Sequence, residues 1–65
     1  MKLTPKERDV ITLVAKGFAD KEIANELKIS PRTVQTHLSR LMLKLQARNR
    51  ANAVALFLNK KYGKI

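Results

Sequence analysis

No cysteine occurs in these 65 residues, which excludes a disulfide staple, a zinc ribbon and a thiolate nucleophile. The single histidine, His37, leaves too few ligands for a protein-only transition-metal site. No apolar run approaches the roughly 20 residues that a transmembrane helix requires. Near the N-terminus, charges and Pro5 interrupt every candidate signal-peptide core. Acids are few: Glu7, Asp9, Asp20, Glu22 and Glu26. Glu7, Asp9, Glu22 and Glu26 are expected on helix surfaces or in first turns, as capping and ion-pair groups, with no histidine or nucleophile beside them to complete a catalytic set. No enzyme, cofactor or metal is therefore expected. The length admits one domain, residues 1–65, with a small core, because a chain of this size buries only about 60% of the surface it exposes when unfolded. The expectation is a small, soluble, basic module of the cytoplasm.

The missing acids are unevenly placed. Residues 1–26 carry five bases (Lys2, Lys6, Arg8, Lys16, Lys21) and all five acids, and sum to zero. Residues 27–65 carry nine bases and no acid, so the whole formal charge of +9 lies there. An ordinary solvated surface mixes both signs. A one-sign half suits a polyanion, with nucleic acid ahead of an anionic membrane.

Punctuation divides the chain into four helices, with no strand pattern and no internal repeat. Thr4-Pro5-Lys6-Glu7 has the form of a capping box with proline at the first helical position. Val10, Ile11, Val14 and Phe18 continue one apolar stripe, and Gly17 supplies a left-handed stop. Asp20 is expected to cap a short second helix with Ile23, Ala24 and Leu27 inward. Lys28-Ile29 makes a tight turn, and Ser30-Pro31 opens the third helix. Asn49 caps the fourth, which runs to about Lys61 or Tyr62 before Gly63.

On the third helix Val34, Leu38, Leu41 and Leu45 recur at helical spacing, with Met42 beside them, and mark the core side. The opposite front carries Arg32, Thr36, Ser39, Arg40 and Leu43, with Gln35 on one flank and His37 and Lys44 on the other. Such a front suits a major groove, where these side chains meet base edges and phosphates without burying unpaired carboxylates. His37, beside the core stripe, reads as a packing residue or a phosphate hydrogen bond. A short helix, a three-residue turn and a longer helix is the helix-turn-helix layout. The helix starts at Asp20 and Ser30 would both point toward the phosphate backbone. The fourth helix is apolar on more than one side: Ala51, Val54, Leu58 and Tyr62 read as its core stripe, and Ala53, Leu56 and Phe57 as a second face that wants a partner.

The strings Leu3-Thr4-Pro5-Lys6-Glu7-Arg8-Asp9-Val10, Lys21-Glu22-Ile23-Ala24 and Ile29 through Leu38 (ISPRTVQTHL) resemble the LuxR-type, or GerE-type, helix-turn-helix domain. Lys44-Leu45, Arg48-Asn49-Arg50 and Ala53-Val54 continue the match, which covers about Leu3 to Tyr62. The resemblance implies an all-α, compact four-helix domain that binds double-stranded DNA and regulates bacterial transcription, with a C-terminal dimerisation helix. It places base reading on Gln35, Thr36 and Ser39, and phosphate contacts on Lys21, Ser30, Arg32, Thr33, Lys44 and Arg48, to which the helix front adds Arg40. It implies a homodimer joined through the fourth helix, whose seam is expected along the second face, at Ala53, Leu56, Phe57 and Lys60. RNA polymerase or a full-length LuxR-type regulator are further partners of that kind, and the site of action is the nucleoid. The other possibility is a protein that heterodimerises with a full-length regulator through its fourth helix and titrates it. Family members commonly carry a receiver or ligand-binding domain in front, so the chain resembles stand-alone members or an excised output domain. Where the family commonly has glycine this chain has Lys28 and Gln46, at a cost on the order of 1 kcal/mol each. Where it often has Lys or Arg stand Gln35 and Ser39, and Leu43 replaces a residue that is usually polar.

Overall fold

The computed structural model describes residues 3–62, with side chains through Asn59. Four helices follow one another: α1 (Pro5–Ala15), α2 (Asp20–Leu27), α3 (Pro31–Leu45) and α4 (Arg50–Tyr62), and no strand occurs among the described residues. The chain is all-α, as its punctuation implies. Ahead of α1 the Thr4 hydroxyl oxygen accepts the Glu7 N–H (3.1 Å) while the Glu7 carboxylate accepts the Thr4 N–H (2.9 Å), closing a capping box. Ser30 caps α3 by accepting the Thr33 N–H (3.1 Å), with Pro31 at the first position. Asn49 caps α4 by accepting the Asn52 N–H (2.8 Å). The start of α2 departs from expectation. Its cap position is Ala19, and Asp20 is already the first helical residue. The backward hydrogen bond is still made, with Glu22 accepting the Ala19 N–H (2.7 Å), so the glutamate supplies half of a capping box where the cap residue itself has no side-chain acceptor.

The first three helices end in one way. A left-handed residue (Gly17, φ 94°; Lys28, φ 59°; Gln46, φ 56°) reverses the chain. The next N–H then reaches back five residues: Phe18 to the Leu13 carbonyl (3.0 Å), Ile29 to Ala24 (3.0 Å) and Ala47 to Met42 (2.9 Å). This closure satisfies orphan carbonyls and drops the following apolar residue onto the core. Phe18, Ile29 and Ala47 all pack there. Lys28 and Gln46 therefore occupy the conformation that glycine adopts without penalty.

The core comprises Val10 and Ile11 of α1, Ile23 and Ala24 of α2, Val34, Leu38 and Leu41 of α3, and Ala53 and Phe57 of α4. Helix α3 packs against the other three, so its position is fixed from behind by the whole domain. On α4 the two apolar faces are the reverse of the sequence reading. Ala53 and Phe57 are buried, while Ala51 is exposed and Leu58 is 38% exposed. Both faces satisfy a 3.6-residue period, and the larger Phe57 ring turns inward. Val54 is partly buried against the core as expected. Leu56 is half-buried but is not among the residues packed on that cluster. The side chains of Lys60 and Tyr62, and the stop at Gly63, lie outside the described residues.

Candidate nucleic-acid interface

With Val34, Leu38 and Leu41 pinned at 0–5% exposure, the helical period leaves the other side of α3 to solvent. Arg32, Gln35, Thr36, Ser39, Arg40 and Leu43 are all exposed. At 1.5 Å per residue the front from Arg32 to Leu43 is about 16 Å long, enough to span several base steps of a groove about 12 Å wide. The three expected base readers sit together on this front. The Thr36 hydroxyl donates to the Arg32 carbonyl (3.2 Å), which commits its proton to its own helix and leaves the methyl for outward contact.

Four of the expected phosphate-binding cations, Lys21, Arg32, Arg40 and Arg48, are exposed and carry no ion pair among the described residues. They lie at the start of α2, along α3 and in the loop before α4. That loop is held: the Arg48 N–H donates to Asn52 Oδ1 (2.9 Å), and Asn52 in turn donates to Asn49. Ser30 and Thr33 face each other hydroxyl to hydroxyl at 2.9 Å, at the start of α3.

Lys44 differs from its expected place. Its ammonium donates to the Glu7 carboxylate at 2.7 Å, tying the last turn of α3 to the first turn of α1. Glu7 is only 2% exposed, whereas capping and pairing groups were expected on the surface. Burial alone pushes its carboxyl up. The Lys44 hydrogen bond, the Thr4 N–H, the Lys44 charge and the Thr4 hydroxyl together outweigh that, and the net shift is below the ordinary value of 4.5. A second ion pair joins the helix starts, with the Arg50 guanidinium donating to the Asp20 carboxylate. Two acids of the neutral half thus compensate two bases of the basic half. Neither pair is visible in the sequence, because the partners are 37 and 30 residues apart. The roles of Asn52 were likewise missed, although an Asn three residues after the Asn49 cap is a local signal. His37 has its Nδ1 buried without a hydrogen-bond partner among the described residues, so that atom makes no outward contact.

A short helix, a three-residue turn and a longer helix with an acid-free, hydrogen-bonding front define a helix-turn-helix domain of the DNA-binding class. The family model described as bacterial regulatory proteins, luxR family (GerE), matches residues 1–57. The chain belongs to that family, whose members are transcriptional regulators. It is 49% identical over 55 residues to the tetrathionate response regulatory protein TtrR of Salmonella typhimurium, a match covering 85% of this chain and 27% of that protein. It is 51% identical over 55 residues to the uncharacterized transcriptional regulatory protein YhcZ of Bacillus subtilis, covering 85% of this chain and 25% of the other. Against the HTH-type transcriptional regulator Rv0890c of Mycobacterium tuberculosis it is 52% identical over 52 residues, covering 80% of this chain and 6% of the other. The chain thus spans about a quarter or less of these relatives.

Proposed function

We propose that this chain binds specific sequences in double-stranded DNA as a homodimer and regulates transcription, with α3 lying in the major groove and the work done in the cytoplasm, on the nucleoid. The observation that carries the reading is the front of α3: exposed Gln35, Thr36 and Ser39 flanked by Arg32 and Arg40, which have no ion pair among the described residues, on a helix clamped from behind by the other three. Gln35 presents an amide that matches the N6 donor and N7 acceptor of adenine, and the Thr36 methyl packs on a thymine methyl. Lys21, Arg32, Arg40 and Arg48, with the Ser30–Thr33 hydroxyls, hold the phosphate backbone, while Lys44 stays on Glu7. The dimer seam runs along the outward side of α4. It centres on Ala51, Ala55 and Leu58, with Leu56 at its border, because Ala53 and Phe57 are buried in the chain's own core.

The test is binding to duplex selected from a randomised pool, measured across salt. Four cations per protomer give eight phosphate contacts in a dimer, and at about 0.9 counterions each the slope of log K against log salt is about −7. Arg32→Ala removes one contact per protomer and flattens the slope by about 2. A slope near zero, or a chain that joins a full-length relative yet binds no duplex, contradicts the proposal in favour of a titrating partner.

A further inference from the structure

We infer that Leu43 is a fourth base-reading residue, one that recognises the C5-methyl group of a thymine at the outer edge of each half-site. The inference rests on the proposed placement of α3 in the groove. Leu43 is the most exposed large apolar side chain among the described residues, at 77%. At 3.6 residues per turn it lies within ~20° of Thr36 around the helix, in the middle of the front. Thr36, Ser39, Arg40 and Leu43 form the series i, i+3, i+4, i+7. A homeodomain recognition helix reads bases from positions of this spacing, and Thr36, Ser39 and Leu43 fill three of them, with Arg40 at the fourth kept for phosphate. From Thr36 to Leu43 the axial rise is about 10 Å, or roughly three base steps at 3.4 Å.

The chemistry around Leu43 favours DNA over a protein as the occupant. Arg40, one turn before it, and Arg48, in the loop beyond the helix, are exposed cations without ion pairs among the described residues. No acid follows residue 26 to repel phosphate. The neighbouring cation, Lys44, is held on Glu7, about 100° round the helix, so the last turn of α3 presents the front with the branched apolar group of Leu43 and no charge of its own. That turn is well held. The Leu43 carbonyl accepts the Gln46 N–H (3.1 Å), and Ala47 closes onto Met42 (2.9 Å) directly behind it. An isobutyl group has no hydrogen bond to offer a base edge. In the major groove the apolar feature it can match is the thymine methyl.

The experiment uses the duplex selected by the full chain, with each thymine on both strands replaced singly by deoxyuridine, which removes the methyl and nothing else. One position per half-site, about three base steps from the one sensitive to Thr36→Ala, is expected to lose about fourfold in affinity for the wild type, the worth of one buried methyl. For Leu43→Ala that replacement should have no further effect, while the salt slope and melting temperature stay at their wild-type values, since no phosphate contact or core packing is removed. Loss of that coupling refutes the inference: either Leu43→Ala binds every duplex as the wild type does, or it weakens thymine and uracil duplexes equally. Steep salt dependence without any Leu43-linked methyl effect overturns this role alone. A wild type that binds no duplex overturns the DNA reading with it.

Discussion

Replacing Lys44 by methionine keeps the aliphatic stem and removes the ammonium that faces Glu7. What remains is a carboxylate 2% exposed, held by the Thr4 N–H at 2.9 Å. Stripping one partner from a fully buried pair costs about 3–5 kcal/mol. Lys44 itself is 29% exposed, so solvent screens that end and the expected loss is about 2 kcal/mol. Glu7→Gln preserves an oxygen acceptor for Thr4 and Lys44, and should cost about 1 kcal/mol. Once the charge on residue 7 is gone, Lys44→Met should cost only about 0.5 kcal/mol more, a coupling of about 1.5 kcal/mol in the double-mutant cycle. A 65-residue domain has about 3–10 kcal/mol in total, so Lys44→Met alone should lower the melting temperature by about 8–16 °C. The sign with pH follows from the lowered Glu7 value. Its contribution is complete above 4.5 and is lost as pH falls from there through the folded-state value, and Glu7→Gln should flatten that acid limb. Circular dichroism during thermal and urea unfolding measures all of this. A Lys44→Met variant within 0.5 kcal/mol of wild type, or a cycle that is simply additive, would refute the clamp.

The left-handed caps offer a gain: Lys28→Gly and Gln46→Gly should each stabilise by about 1 kcal/mol, read as a higher urea midpoint at unchanged m-value. Unchanged or lower midpoints would mean that these backbones carry no penalty. On α4, Leu58→Asp should abolish dimers in sedimentation while helical content persists, whereas Phe57→Ala should cost about 3–5 kcal/mol and unfold much of the population. A folded, fully dimeric Leu58→Asp variant would place the seam elsewhere.

Much of the fold was legible because its boundaries depend on local chemistry. Thr4-Pro5, Ser30-Pro31 and Asn49 mark helix starts by supplying acceptors for orphan N–H groups. The reversals at Gly17, Lys28 and Gln46 follow each apolar stripe where it runs out. The front of α3 was legible for the same reason, since a 3.6-residue period sorts Val34, Leu38 and Leu41 from Thr36, Ser39 and Arg40. Helix α4 resisted that logic. With Ala51, Val54 and Leu58 on one side and Ala53 and Phe57 on another, periodicity supplies two equivalent faces, and only the shape of the remaining core chooses between them. The ion pairs were hidden for a different reason. A capping glutamate and a helix-terminal lysine look like surface groups until α1 is laid across the end of α3, and that crossing is a tertiary fact. Asp20 reads as a cap by residue type, but the backbone enters the helix one residue earlier, and its carboxylate serves Arg50 instead.

Whether side chains on the front of α3 read bases is decided by profiling three proteins against a randomised half-site. Wild type, Gln35→Ala and Gln35→Arg would be compared at one salt concentration. The wild type should prefer adenine at one position by about 1–3 kcal/mol, a preference that Gln35→Ala relaxes and Gln35→Arg moves to guanine, with the preferences at other positions intact. Identical base preferences in all three proteins would contradict it and leave Gln35 reading nothing.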